Sequence, residues 1–328
     1  MGNSEKAKYS NPFTATLSGI ANMFKKHPPV GELTKEDRID GKTCLVTGAN
    51  SGLGFAVAQG LAHRGGKVIM ACRSGIPEAG EQIKSITGSD DIEMIRVDLS
   101  DADSITSMIE ELVRRNIKID IAIFNAAIVP SGSRKNKHGL DEMFMVNYLA
   151  KFILINKMLE NQLFNLQDIP RIIYISSESH RSGEDLDFNT FGHYEEYTMS
   201  KVIALYGYYK LHLNTLASEL SRRLNLESVQ YSVHSICPGA VNTNIARESP
   251  KIFQPLLKVV FGIFFQSPAK AAIPVLYLAC SKALEGHSDY YLHMMAKKDP
   301  DERSLKPEVG RKLWEHSNEL LKTLEINV

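Results

Sequence analysis

The chain has 328 residues, 43% of them hydrophobic, which fits one large globular domain or two small ones. Lys and Arg together number 38, as do Asp and Glu, so no strong electrostatic field favours a nucleic-acid partner. The four cysteines, Cys44, Cys72, Cys237 and Cys280, lack the spacing of metal ligands. We expect them to be buried free thiols in a reducing compartment, with no metal site.

The first 40 residues are predicted to be an extension made of an amphipathic helix and a linker. Apolar residues recur on one helical face at Phe13, Leu17, Ile20 and Phe24. Such a helix could lie on a membrane surface, pack on its own domain or contact a second subunit. There is no secretory signal and no apolar run long enough to span a bilayer. We expect a cytoplasmic protein, with peripheral membrane contact as the alternative.

A glycine-rich turn follows the first predicted strand, residues 42–46, and opens a helix. Glycines let the backbone turn sharply and approach a bound group, and a helix N-terminus offers free N–H groups, so the turn suits a pyrophosphate. Its spacing, Gly-x3-Gly-x-Gly, is not that of the commonest dinucleotide fingerprint, so an ordinary turn is the alternative. The candidate residues are Gly48, Asn50, Ser51, Gly52, Leu53 and Gly54.

From Gly41 onward, strand-like and helix-like segments alternate. This alternation predicts a doubly wound, mostly seven-stranded parallel sheet with helices on both faces, in one α/β domain over residues 41–328. The later strands are predicted at 68–72, 92–97, 119–124, 171–175, 230–236 and around 289–292. Most end in polar or small residues at one edge of the sheet, where open α/β sheets bind ligands.

Two strand ends bear on the nucleotide that would bind. The second strand ends at Arg73, about 20 residues beyond the glycine turn, where an NAD site usually places an acidic residue. A guanidinium can pair with a 2′-phosphate, which favours NADP(H) over NAD(H); the alternative is an ordinary surface arginine. The third strand ends at Asp98-Leu99, where Asp98 could accept from an adenine amino group or cap the next helix.

Ser177, Tyr197 and Lys201 suggest a proton-transfer site. The helix carrying Tyr197 and Lys201 is predicted to begin near Glu195 and end near Leu224, so the two residues would share a face. The pKa of a free tyrosine is about 10, and a nearby ammonium lowers it. A serine hydroxyl could hold the substrate oxygen beside the phenol. The alternative is an exposed tyrosine with a solvated lysine.

Taken in series, these motifs resemble those of the short-chain dehydrogenase/reductase family, whose fold is a single Rossmann domain. The resemblance runs from about Gly41 to the C-terminus, and residues 71–74, 176–180 and 313–315 resemble the retinol dehydrogenase branch. The matching segments are residues 47–54, Asp98, Asn125-Ala126-Ala127, Asn147, Ser177, Tyr197–Lys201 and Pro238–Thr243. One departure is Ala150, followed by Lys151, where the family usually has a glycine.

The resemblance implies roles for these residues. Tyr197 would be the general acid in carbonyl reduction and the base in alcohol oxidation, and Ser177 would orient the substrate oxygen. Lys201 would bind the nicotinamide ribose and lower the tyrosine pKa, and Asn147 would hold a water that relays protons. Besides the glycine-turn residues, the cofactor would meet Arg73, Asp98, Leu99, Asn125, Ala126, Ala127, Tyr197, Lys201, Pro238, Gly239, Val241 and Thr243.

The apolar segment of residues 244–268 resembles the family's substrate lid and suits a lipophilic aldehyde, ketone or alcohol. A dimer contact or a membrane-touching patch is the alternative. The expected activity is hydride transfer between NADP(H) and such a substrate, similar to that of retinol dehydrogenases, with NAD(H) as the alternative cofactor. The rival hypotheses are the same chemistry on a steroid, quinone or xenobiotic carbonyl, and a cofactor-binding scaffold without turnover. The family also suggests a homodimer through the helix carrying Tyr197.

Overall fold

A computed structural model describes residues 29–241 and 266–327, apart from Glu227 and Val229. Three predictions fall wholly or mainly outside these residues: the N-terminal amphipathic helix, the role of Thr243, and the lid up to residue 265. Within the described ranges, no helix is both long and apolar enough to cross a membrane.

An eight-stranded sheet forms the centre of the molecule, in the order β3-β2-β1-β4-β5-β6-β7-β8. The first seven strands are parallel, and β8 pairs antiparallel with β7 at one edge. The strands are β1 (Thr43–Thr47), β2 (Lys67–Cys72), β3 (Ile92–Arg96), β4 (Ile121–Phe124), β5 (Arg171–Ile175), β6 (Ser232–Cys237), β7 (Tyr290–His293) and β8 (Ala296–Lys298). The predicted α/β fold with a mostly parallel sheet is confirmed.

Helices cover both faces of this sheet. They are α1 (Gly52–His63), α2 (Glu78–Thr87), α3 (Ala102–Arg114), α4 (Glu142–Phe144), α5 (Ala150–Glu160), α6 (Met199–Leu224), α7 (Pro268–Cys280), α8 (Glu302–Leu305) and α9 (Pro307–Thr323). A π-helical turn, Met145–Leu149, joins α4 to α5, and a 3₁₀ turn, Glu178–Ser182, follows β5.

Side chains that alternate along the buried strands pack into two separate hydrophobic cores, one on each face of the sheet. Ala122 and Phe124 of β4 pack on the side of α3, α5 and α6, whereas Ile121 and Ile123 pack on the side of α1, α2 and α7. Because both faces are covered, strands such as β5 are buried along their whole length. The four cysteines are buried and free, as expected.

Candidate active site

A cavity of about 460 Å³ lies at the carboxyl ends of the parallel strands. Its lining includes these predicted cofactor residues: Gly48, Asn50, Ser51, Gly52, Leu53, Gly54, Arg73, Asp98, Leu99, Asn125, Ala126, Ala127, Pro238, Gly239 and Val241. Tyr197 and Lys201 are not in this lining, and Thr243 lies outside the described residues. The structure therefore gathers the strand-end residues at one edge but does not bring the predicted tyrosine and lysine to them.

The glycine turn packs too tightly for side chains. Gly48 has a φ of +65°, and a Cβ there would lie 2.9 Å from the Cβ of Ala126. A Cβ on Gly54 would lie 2.3 Å from the carbonyl oxygen of Gly48. The backbone of the turn can therefore lie directly against the strand ends and form one wall of the cavity.

Helix α1 begins at this wall without a side-chain cap. The Ser51 side chain makes no capping hydrogen bond, and the first turn of α1 contains no acidic residue. The N–H groups at a helix start have no partner within the helix, and they carry partial positive charge. The N-terminus of α1 therefore fits an anionic group such as a pyrophosphate.

Hydrogen bonds join the glycine turn to the loop after β4. The Thr47 hydroxyl accepts from the backbone N–H groups of Asn125, at 3.0 Å, and Ala126, at 3.1 Å. The Asn125 side chain donates to the carbonyls of Thr47, at 2.9 Å, and Gly48, at 3.2 Å. The amide of Asn125 is thus used to hold the two strand ends together.

Arg73 lies at the end of β2 between two carboxylates. Its side chain is 60% exposed, with Nη1 3.8 Å from Oδ2 of Asp98 and 3.9 Å from Oε1 of Glu142. Asp98 Oδ1 accepts from both the backbone and the hydroxyl of Ser100. The cap of α3 is Asp101, so the helix-capping alternative for Asp98 is wrong.

Ser177, Tyr206 and Lys210 lie close together, and all three line the cavity. The hydroxyl of Ser177 hydrogen-bonds to the Tyr206 side chain. Nζ of Lys210 donates to the Ile175 carbonyl at 2.7 Å and lies 5.4 Å from the centroid of the Tyr206 ring. Tyr206 and Lys210 are one turn apart in the interior of α6, so they occupy one helical face.

Burial shifts the pKa values of Tyr206 and Lys210. It raises the pKa of Tyr206 above that of a free tyrosine, and the hydrogen bond from Ser177 offsets part of this. Burial also lowers the pKa of Lys210 to about 8. The ammonium of Lys210 can therefore lose its proton within a physiologically accessible range.

His180 holds the backbone of Ser177. Its Nδ1 lies 2.6 Å from the Ser177 carbonyl oxygen, and its Nε2 accepts from the backbone N–H of Asp301 at 3.0 Å. Burial lowers the pKa of His180 to about 4, so the ring is neutral near pH 7. A neutral imidazole with its proton on Nδ1 satisfies both bonds, which fixes Ser177 against the start of α8.

The placement of Tyr197 and Lys201 on one helical face is wrong. Helix α6 begins at Met199, so Tyr197 precedes it instead of lying one turn before Lys201. The Tyr197 hydroxyl donates to Oδ2 of Asp141 at 2.8 Å, and burial beside that carboxylate raises the tyrosine pKa. The Lys201 side chain is exposed and, within the described part of the chain, has no hydrogen-bond or ion-pair partner.

The sequence contains a signal that would have selected Tyr206. Gly207, the next residue, lies in the interior of a 26-residue helix, where glycine costs about 1 kcal/mol relative to alanine. A Cβ at Gly207 would lie 2.5 Å from the carbonyl oxygen of Ser179. An unexplained glycine inside a helix marks a close approach, here between α6 and residues 176–182 after β5, which we call the serine loop.

Asn147 lies in the middle of the π-helical turn and is fully buried. Its Oδ1 accepts from the backbone N–H of Ile128 at 2.8 Å, and its Nδ2 donates to the Ile128 carbonyl at 2.9 Å. The side-chain amide thus clamps the loop after β4 on both sides of one residue, and Asn147 itself does not line the cavity.

Known proteins resemble the chain along most of its length. A family profile described as short chain dehydrogenase matches residues 42–252. Retinol dehydrogenase 13 of Mus musculus is 32% identical over 312 residues, covering 93% of this chain and 91% of that protein. A crystal structure of a Mycobacterium paratuberculosis protein is similar with a TM-score of 0.68 and 24% identity, covering 89% of this chain and 98% of the other. A short chain dehydrogenase from Shigella flexneri, complexed with NADP, has a TM-score of 0.60 and 18% identity, covering 79% and 98%. At these identities, the two structures show the shared fold alone.

Proposed function

The chain belongs to the short-chain dehydrogenase family of oxidoreductases that act on CH–OH and C=O groups, and we propose that it transfers a hydride between NADP(H) and a lipophilic carbonyl or alcohol. The observation that carries this proposal is the convergence of Ser177, Tyr206 and Lys210 on a cavity that is also lined by a glycine turn at a helix N-terminus. One cavity thus offers an anion site and a proton-transfer site together.

The residues that would hold the cofactor follow from this geometry. The uncapped start of α1 suits the pyrophosphate, and the exposed guanidinium of Arg73 suits a 2′-phosphate. Both hydrogen bonds from Ser100 go to Oδ1 of Asp98, so Oδ2 can accept a hydrogen bond from the adenine amino group. A bound nicotinamide supplies or accepts the hydride at the substrate carbon.

In this proposal, Tyr206 replaces Tyr197 as the general acid or base. Lys210 replaces Lys201 as the residue that binds the nicotinamide ribose and favours the tyrosine phenolate. During reduction, the substrate oxygen gains the phenolic proton of Tyr206, and the tyrosine becomes a phenolate. The Ser177 hydroxyl stabilises that phenolate by its hydrogen bond, and the ammonium of Lys210 does so by its charge. Oxidation runs in reverse, with the phenolate of Tyr206 as the base.

The first two turns of α6 carry exposed apolar side chains, which favours a lipophilic substrate. Ile203 and Met199 lie three and seven residues before Tyr206, which puts them on the same side of the helix. Their exposed fractions are 49% and 46%, large for apolar side chains beside a cavity residue. The name of the mouse relative, retinol dehydrogenase 13, supports the same substrate class.

The test follows the absorbance of NADPH, and of NADH in parallel, while the purified protein meets aldehydes and ketones including retinal. We expect faster oxidation of NADPH, and a loss of about ten- to a hundredfold in kcat/KM for NADPH in Arg73→Ala, since a charged pair with phosphate is removed. Arg96→Ala is the control, because Arg96 is exposed on the neighbouring strand but does not line the cavity.

Two outcomes would contradict parts of the proposal. A preference for NADH in the unmodified protein, unchanged in Arg73→Ala, would refute the role of Arg73 but leave the proton-transfer site standing. Tight cofactor binding without turnover of any substrate in the panel would favour the scaffold hypothesis instead.

A further inference from the structure

A buried lysine, Lys151, lies behind the cavity at the start of α5. Its side chain is 1% exposed, and Nζ donates to the Ala126 carbonyl at 2.6 Å and to the Val146 carbonyl. Among the residues that the structure describes, no carboxylate forms an ion pair with it. A lysine buried without a counter-ion is costly, so its retention needs a local reason.

The two carbonyls that Lys151 binds belong to the cavity wall. Ala126 lies in the loop after β4, Val146 lies in the π-helical turn, and both line the cavity. Asn147, four residues before Lys151, clamps Ile128 in the same loop. The amine and the amide thus hold the loop at two points, two residues apart.

The charge state of Lys151 suits this arrangement. Burial lowers its pKa well below that of a free lysine, and the charge of Lys210 lowers it further. A neutral amine has two N–H donors, and the two carbonyls use both. The positive charge beside the Tyr206 ring is then that of Lys210.

We propose that Lys151 is a positioning residue of the cofactor site, which fixes the Ala126 carbonyl and thereby the wall between β4 and the π-helical turn. It acts on cofactor affinity through the backbone and touches neither substrate nor cofactor. This inference rests on the proposed function, because it assumes that the wall faces a nicotinamide cofactor.

The experiment compares Lys151→Met with Lys157→Met. Lys157 is also buried on α5 but does not line the cavity or bind its wall, so it controls for the loss of a buried amine. The measurements are NADPH Kd by fluorescence titration without substrate, hydrogen exchange of peptides covering residues 125–129 in the free protein, and kcat and KM for a carbonyl substrate.

We expect Lys151→Met to weaken NADPH binding about tenfold, the equivalent of one hydrogen bond, and to speed exchange at residues 125–129. The KM of the carbonyl substrate should stay unchanged, and Lys157→Met should alter neither Kd nor exchange in that loop. Lys151→Gln keeps a neutral donor, so it should lose less affinity than Lys151→Met; it also serves if the methionine variant does not fold.

An unchanged Kd and unchanged exchange in Lys151→Met would overturn the inference, as would equal effects of Lys157→Met. If the unmodified protein binds neither NADPH nor NADH, the proposed function fails by itself. The exchange comparison then still decides whether Lys151 holds the loop.

Discussion

Two Tyr-x-x-x-Lys patterns lie nine residues apart in this chain, and their surroundings differ in every respect that matters for proton transfer. Tyr197 precedes helix α6 and donates to Asp141, and Lys201 is exposed. Tyr206 and Lys210 lie inside the helix, on a cavity shared with Ser177. The spacing of two residues is therefore a weak guide to chemistry, because burial and neighbours determine what the pair can do.

Tyr197 of the first pair is best understood as a structural contact. Asp141 is the N-cap of α4 and accepts from the backbone N–H of Phe144 at 2.8 Å. Tyr197 supplies a second hydrogen bond to the same buried carboxylate. Burial raises the pKa of Asp141, and the hydrogen bonds from Phe144 and Tyr197 offset part of this rise.

The largest difference between the two pairs should appear in turnover. Tyr206→Phe removes the proposed acid, so we expect kcat to fall by about a thousandfold, within the usual contribution of general acid–base catalysis. Tyr197→Phe should keep kcat within about threefold, since its hydroxyl faces Asp141. Steady-state kinetics with matched NADPH titrations checks both variants. Full activity of a folded Tyr206→Phe protein would refute the assignment.

The second difference concerns the lysines and pH. Since the pKa of Lys210 is lowered to about 8, its ammonium should be lost above that pH, and NADPH affinity should fall by up to tenfold per pH unit. Stability should change in the opposite direction. A lysine whose folded pKa lies below its unfolded value stabilises the protein as pH rises from about 8 to about 10.5, by about 3 kcal/mol in total.

The measurement for this prediction is NADPH Kd and urea unfolding at pH 7 to 10, in the unmodified protein, Lys210→Met and Lys201→Met. Lys201→Met should follow the unmodified profile, because its side chain is exposed. A Kd profile that is flat through pH 8, or one that Lys201→Met abolishes, would contradict the role of Lys210.

The smallest expected effect is on stability at the first pair. Tyr197→Phe removes a hydrogen bond to a buried carboxylate, which should lower the free energy of unfolding by about 2 kcal/mol. Urea unfolding at pH 7 measures it, with Tyr194→Phe as a control on a neighbouring partly exposed tyrosine. No loss in Tyr197→Phe would mean that the contact with Asp141 contributes nothing.

Much of the fold was predictable, because the strands are buried on both faces and read as apolar runs. Strand β5 was predicted at its observed residues, Arg171–Ile175. Strand β8 was missed because it has three residues, two of them lysines, and depends on pairing with β7. The start of α6 was predicted near Glu195, whereas the helix begins at Met199. The error arose because Glu195, Glu196 and Tyr197 are also compatible with a helix.

Within the site, the strand-end residues were predictable because parallel strands deliver their ends to one edge. The choice between the two identical tyrosine–lysine spacings was not predictable, because it depends on which turn of α6 approaches the serine loop. Gly207 was the local signal of that approach. The clamping bonds of Asn147 and Lys151 join distant backbone carbonyls, which no periodicity reveals.

The hydroxyl of Thr47 accepts two backbone hydrogen bonds from the loop after β4, and the Asn125 amide returns two to the glycine turn. These four bonds join the protein's own groups across the two walls, so the walls are preorganised. A molecule entering the cavity does not have to pay the conformational entropy of ordering them, and more of its contact energy becomes affinity. Thr47 is fully buried and does not line the cavity, so it would act on ligand affinity only through the backbone that it holds.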